Sequence, residues 1–376
     1  MLGALQGFLL SVFLFTHTKR KKPANKVLAW LILMFSVNLL VPELTRNFHK
    51  ELPHLISASD SLLYLFGPLI YLYTLLLTGR SNTLSKKDLL HFIPFLLGTL
   101  VMLPFFLQPA DAKLAYIEDV KINGLPPVFL IGWSLECLHI AVYMIFSIRV
   151  ITKYKRRIKE SFSNLDKINL QWLYYVLTGN LAIWTLYSAI LITYLFGTPF
   201  ESFNLISHLF GYLSAVFIYL IGYRAIKQPE VFTQMVVNTA GDTKSPSKYH
   251  RSGLTDLKAE EYKGLLLTFM GDESPHLNPD LTLTDLSEAL SVPNNHLSQV
   301  INEKFNQNFF DFINSYRVTE SQAWLKDPVR SKATMLEIAF ESGFKSKSTF
   351  NAAFKKHTQQ TPSEYKKEQT QLSRTA

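Results

Sequence analysis

Seven long apolar runs fill the first 227 residues and constrain the fold more than any other feature of the chain. They cover residues 1–16, 26–41, 61–77, 89–107, 128–148, 170–196 and 205–223. A bilayer core about 30 Å thick asks for roughly 17–25 apolar residues per helix, and most of these runs meet that length. The first two, at 16 residues each, are short. The composition agrees: 18% of residues are charged, against about 25% in an average soluble domain. A 48% hydrophobic content excludes a mainly disordered chain, and one cysteine in 376 residues excludes a disulfide scaffold. That length allows two or three domains.

The flanking charges orient these runs. The basic residues Lys19, Arg20, Lys21 and Lys22 follow the first run and no small-residue cleavage site comes after them, so it reads as a retained span and not a signal peptide. Lys and Arg concentrate in alternate connections: five in 17–26, three in 78–88 and seven in 149–169. The intervening connections hold four. By the positive-inside rule the first set faces the cytoplasm. With seven spans the N-terminus is then outside, and everything after Tyr223 is cytoplasmic.

Polar residues within apolar spans are expensive and mark candidate sites. Glu136 and His139, three apart, share a helix face. His208, Asn38 and Asn180 lie in other runs. One reading makes them interhelical hydrogen-bond glue. The other makes Glu136, His139 and His208 a sensor site for an unidentified signal ligand or for protons. Neither a metal site nor a cofactor is expected, because no pair of histidines has ligand spacing. No motif for intramembrane catalysis is present. Trp30, Trp133, Trp172 and Tyr223 read as interface anchors.

Composition changes after Lys227. The stretch NTAGDTKSPSKYHRSG belongs to a flexible linker over 228–256. From 257 on, apolar residues recur at spacings of three and four (Leu257, Tyr262, Leu265, Leu266, Phe269), the pattern of an amphipathic helix in an all-helical soluble domain. Thr282–Asp285 and Thr334–Glu337 are two capping boxes, each opening a short apolar helix. A tight turn and a second helix follow each. Pro293 suits the first position of one second helix, with Leu297, Val300 and Ile301 inward and Asn294, Asn295, His296, Ser298 and Gln299 outward. Ser346 caps the other, with Phe350, Ala353 and Phe354 inward and Lys347, Ser348, Thr349, Asn351 and Lys355 outward. Phe309, Phe312, Ile313, Tyr316, Trp324 and Leu325 mark a longer connecting helix.

Short helix, turn and polar-faced second helix is the helix-turn-helix plan, whose second helix enters the DNA major groove. Asn and Gln pair with adenine edges, and Lys reaches guanine or phosphate. The pattern LTLTDLSEALSVPNNHLSQVINEKFNQNFFDFINSYRV (281–318) and IAFESGFKSKSTFNAAFKKHTQQTPSEYKK (338–367) resembles the DNA-binding domain of AraC/XylS-type bacterial regulators. The resemblance covers under a third of the chain. It implies two helix-turn-helix units joined by a helix, reading successive segments of the major groove of double-stranded promoter DNA. Three positions depart from the family. Asn306 and Gln359 stand where Gly usually ends the recognition helices, and Lys366 replaces an Arg. Asn tolerates a left-handed backbone, whereas Gln there costs about 1 kcal/mol.

The expected fold is all-α: a seven-helix transmembrane bundle (1–227), the linker, a cytoplasmic DNA-binding domain (257–368) and a tail (369–376). The expected function is a non-enzymatic, membrane-tethered transcriptional regulator of the bacterial inner membrane. Its expected partners are promoter DNA, the bilayer, RNA polymerase, the signal ligand and a second copy of the chain, which would add avidity. The rival readings are a receptor or transporter whose C-terminal module binds protein, and an intramembrane enzyme. The net charge of +9 is mostly positive-inside pattern. Residues 257–329 carry −6 and residues 330–376 carry +5, so the second unit is expected to supply most of the phosphate attraction.

Overall fold

In the computed structural model, residues 2–16, 23–79, 83–166, 168–196, 253–327 and 329–375 are described, with scattered positions between 209 and 224. The chain divides into two compact units. One comprises Met1–Thr152 with Leu170–Pro229, the other Lys153–Asn169 with Glu230–Ala376. Both are helical, and the described residues hold no strand, only an isolated bridge.

The first unit is built from α1 (Leu2–Thr16), α2 (Pro23–Phe48), α3 (Leu63–Leu77), α4 (Ile93–Phe106), α5 (Ala110–Asn123), α6 (Pro127–Lys159, whose end from Lys153 on belongs to the second unit) and α7 (Gln171–Leu195). Five described stretches are long and apolar enough to cross a membrane: Pro23–Phe48, Pro53–Leu77, Lys86–Phe106, Pro127–Lys159 and Gln171–Thr193. These match five of the seven expected runs. Helix α1 is apolar but only 15 residues long, too short for a full span. The run at 205–223 falls largely outside the described residues, as do His208 and nearly all of the linker. The core of the unit lies where α2 meets α1 and α3, with Leu28, Ala29, Leu31, Ile32, Phe35 and Phe66 buried. Ser11 donates to Ala29 O (2.9 Å), and Asn38 donates to Ser59 O (3.1 Å), so Asn38 acts as glue. The connection after α4 is not a loop. Helix α5 forms there and stops at Gly124, whose φ of +79° suits a residue without Cβ. By contrast α4 is apolar throughout and buries none of its residues.

The second unit comprises α8 (Asp256–Asp272), α9 (Leu283–Leu290), α10 (Asn294–Phe305), α11 (Phe309–Lys326), α12 (Met335–Glu341), α13 (Lys347–Thr358) and α14 (Pro362–Thr375). Both capping boxes form. Thr282 N donates to Asp285 (2.9 Å) and Thr334 N donates to Glu337 (2.7 Å). Ser346 caps α13, accepting from Thr349 N at 3.2 Å. Pro293 stands one place earlier than expected, at the N-cap of α10, where its carbonyl accepts from His296 and Leu297. In α8 the buried residues are Ala259, Leu266 and Met270. Leu257 is 81% exposed and Leu265 is also on the open side, because the core-facing stripe runs one register away from them.

Two apolar clusters follow the two halves. Leu266, Leu283, Leu286, Leu297, Ile301, Phe309 and Phe312 belong to the first. Val318, Leu325, Ile338, Phe344, Phe350 and Phe354 belong to the second. Helix α11 serves both. The halves repeat each other down to the turn: Val292 N donates to Ser287 O and Phe344 N to Ala339 O, an identical five-residue closure. This closure needs a left-handed residue just before Val292 and Phe344, supplied by Ser291 (φ +54°) and Gly343 (φ +86°). At Gly343 a Cβ would collide with His276 O and crowd Leu277 Cα and Arg317 Nε. Asn306 (φ +52°) and Gln359 (φ +63°) end the two second helices in the same conformation.

Candidate nucleic-acid interface

The second half presents its expected face to solvent. Phe350 and Phe354 anchor α13 in the core, and the helical period then turns Lys347, Ser348, Asn351 and Lys355 outward, all exposed. Ser346 and Thr349 are half-buried, as the cap geometry requires, with Thr349 Oγ1 within 3.1 Å of Ser346 Oγ. Lys345 pairs with Asp280, and Lys356 with Asp311 (2.7 Å), so these two lysines are tied to the first half. Lys347 and Lys355 have no ion pair within the described residues. The result is a cationic and amide-bearing ridge at the start of an exposed helix, with donors suited to phosphates and base edges.

The first half differs. Only Asn295 of its five expected outer residues is fully exposed. Asn294 donates to Thr284 Oγ1 (3.4 Å), and His296 stacks on Tyr262 with ring centroids 6.1 Å apart. Ser298 and Gln299 are 4% and 7% exposed, which corrects their outward placement. One turn after Ser298, Asn302 donates to Ser298 O (2.8 Å) and to the Glu160 carboxylate (3.0 Å). The segment after α6 therefore lies over this helix face. Gln299 folds along the helix to Glu303 (3.0 Å).

That segment, part of Lys153–Asn169, is built into the second unit. Phe162 and Thr282 form the antiparallel bridge. Ser163 N donates to Leu281 O (3.2 Å), and Leu283 N donates to Ser161 O (3.0 Å). The latter satisfies one of the free N–H groups at the start of α9. Ser161, Phe162, Ser163 and Leu165 are buried. At the centre is Arg317 of α11, 1% exposed, a residue that sequence reasoning missed. Its guanidinium donates to Ser163 O (3.0 Å), Ser163 Oγ (2.9 Å), His276 O (2.8 Å) and Asn278 O (2.9 Å). Burial pulls its pKa down to about 10, with Asp280 opposing. The guanidinium is held by carbonyl and hydroxyl oxygens that use its fork of donors. The signal in the sequence was its position one turn after Ile313, on the apolar face of the connecting helix.

In the first unit, Glu136 (5% exposed) and His139 do share a face of α6, and both line a cavity of 490 Å³. Asp60 and Tyr64 line it too, among apolar residues that include Leu97, Val101 and Phe129. His139 packs between the rings of Tyr64 (5.4 Å) and Tyr143 (4.8 Å). Its two ring nitrogens have no hydrogen-bond partner among the described residues. Asn180 is buried elsewhere in this unit. Asp60 was not singled out in the sequence, since it lies in the polar stretch just before α3.

Residues 286–368 match the family described as "Helix-turn-helix domain". Uncharacterized HTH-type transcriptional regulators from Staphylococcus aureus strains COL, MSSA476 and N315 are each 33% identical over 91 residues, which is 24% of this chain and 12% of theirs. The chain thus covers about an eighth of the length of these relatives. No solved structure matches. The C-terminal part thus matches a helix-turn-helix domain and is similar to a part of these regulators.

Proposed function

We propose that the chain is a membrane-tethered transcriptional regulator in which an AraC-like double helix-turn-helix domain binds promoter DNA. The observation that carries this reading is the polar face of α13: Lys347, Ser348, Asn351 and Lys355 are exposed above a core closed by Phe350 and Phe354. A helix so anchored offers its first turns to a major groove. The tether is supported by the five long apolar stretches and by α4, which is apolar on every side and buries nothing, a composition suited to lipid. The charge bias of alternate connections favours the cytoplasmic side of an inner membrane for 149–169, and with the apolar run at 205–223 as a further span the helix-turn-helix domain shares that side.

The cavity lined by Asp60, Glu136 and His139 is the signal site of this reading. Its apolar walls and acidic residues suit a lipophilic ligand bearing a cationic or hydrogen-bond-donating group. Two copies of the chain on one promoter would add avidity.

Genome-wide capture of DNA on the tagged full chain in cells tests the reading. Discrete enriched sites are expected, lost in Lys347→Ala/Lys355→Ala, and absence of enrichment with the wild type would overturn it. Glu136→Gln is expected to leave capture intact while abolishing its variation between growth conditions. Unchanged variation would remove the cavity from the scheme. A chain released from membranes by alkaline washing would remove the tether.

A further inference from the structure

Both second helices of the double helix-turn-helix are held by an acid from one short segment. On α10, Asn302 donates to Glu160 Oε2 at 3.0 Å. On α13, Thr349 Oγ1 donates to Asp166 Oδ1 at 2.5 Å. Between the two acids, Ser161–Ser163 is fixed to the domain by the bridge at Thr282 and by Arg317. The acids are thus two arms on one anchor, each reaching a different reading helix. The burial of Ser298 beside Asn302 belongs to the same contact. Burial raises the Glu160 carboxyl above its ordinary range, opposed by the Asn302 bond and reinforced by Asp311.

We propose that segment 160–166 is a built-in competitor of DNA, whose two carboxylates occupy the polar side chains of the two reading helices that phosphates and bases would otherwise engage. This rests on the DNA-binding reading above. A carboxylate satisfies Asn and Thr donors as a phosphate oxygen does and repels the phosphates themselves. The anchor and the arms have separate roles. Ser161 and Ser163 complete the α9 N-terminus and the Arg317 cluster, so the segment stays attached when the arms let go.

The test uses the full chain in lipid nanodiscs with a fluorescent duplex of mixed sequence in low salt. Glu160→Gln/Asp166→Asn is expected to bind about tenfold tighter. The control Asp272→Asn/Glu273→Gln, with the same charge removed at the end of α8, is expected to change affinity less than threefold. Equal gains in both pairs, or none in the first, would overturn the proposal. In a Cys137→Ser background, Asp166→Cys/Thr349→Cys, whose affinity before crosslinking is the reference because Thr349 lies on the reading face, is joined by a short, reductively cleavable thiol crosslinker. Crosslinking is expected to abolish DNA binding and reduction to restore it. Failure to crosslink would show the segment undocked, and crosslinking without effect on DNA would show no competition; either overturns the proposal. If no form, wild type included, binds the duplex, the DNA-binding reading itself has failed.

Discussion

The two helix-turn-helix units share caps, turn geometry and core positions, yet they present opposite surfaces. The second unit carries +5 over 330–376, and Lys347, Ser348, Asn351 and Lys355 of α13 are exposed. The first carries −6 over 257–329, and α10 has Ser298 and Gln299 buried and Asn302 bound to Glu160. A repeated scaffold therefore need not mean a repeated role. The hydrophobic positions that build each unit are under the same constraint, while the outer faces are free to diverge. Here one became a cationic ridge that a segment more than a hundred residues upstream touches at Thr349, and the other a surface over which that segment buries Ser298 and bonds Asn302.

The comparison breaks most sharply at the turn. Gly343→Ala is expected to destabilise the second half by about 3 kcal/mol, from the left-handed backbone and the collision with His276 O. The equivalent Ser291→Ala should be close to neutral, since that position already bears a Cβ. Hydrogen exchange at the Phe350 and Leu297 amides in the full chain separates the two outcomes. Next in size is the charge asymmetry. Lys347→Ala/Lys355→Ala should weaken DNA binding about tenfold and lower the salt slope by about 2. Asn295→Ala should leave that slope unchanged, and a slope that fell equally would erase the distinction between the units.

Smaller effects sharpen the parallel. Gln359→Gly and Ser291→Gly each relieve a non-glycine residue at positive φ and should stabilise their own half by about 1 kcal/mol, measured by urea unfolding. The pH response should be smallest. In the second half, hydrogen bonds from the Thr334 and Thr361 backbone N–H groups hold the Glu337 and Glu364 carboxyls below their ordinary range. A lowered folded-state pKa gives stability that is complete above the ordinary carboxylate range and is lost as pH falls through the lowered values. Glu337→Gln should flatten that acid loss, as followed by thermal melting between neutral and acid pH.

Much of the second unit was legible because its signals are local. Thr282 with Asp285, Thr334 with Glu337, and the spacing of Phe350, Ala353 and Phe354 each lie within one or two helical turns, and capping and periodicity act over that distance. The pairing of Glu136 with His139 was legible for the same reason. Ser298 and Gln299 were misplaced because a helical wheel reports which face is polar, not what comes to lie on it. Leu257 was misplaced because the stripe in α8 admits two registers, and packing chose the one through Leu266 and Met270. Of the seven runs, five form described stretches long enough to span; the first forms the 15-residue α1, and the run at 205–223 lies largely outside the described residues.

The sequence by itself determined the helical class, the caps at Thr282, Thr334 and Ser346, the left-handed ends at Asn306 and Gln359 and the division of charge, all of which are read from residues a few positions apart. Only the tertiary structure decided that Arg317 is a buried hub, that Asp60 joins Glu136 and His139 around one cavity, and that residues 160–166 belong to the helix-turn-helix unit. Arg317 and Ser163 are separated by 154 positions. A hydrogen bond across that interval leaves no period in the chain, because its partners are brought together by the packing of every element between them.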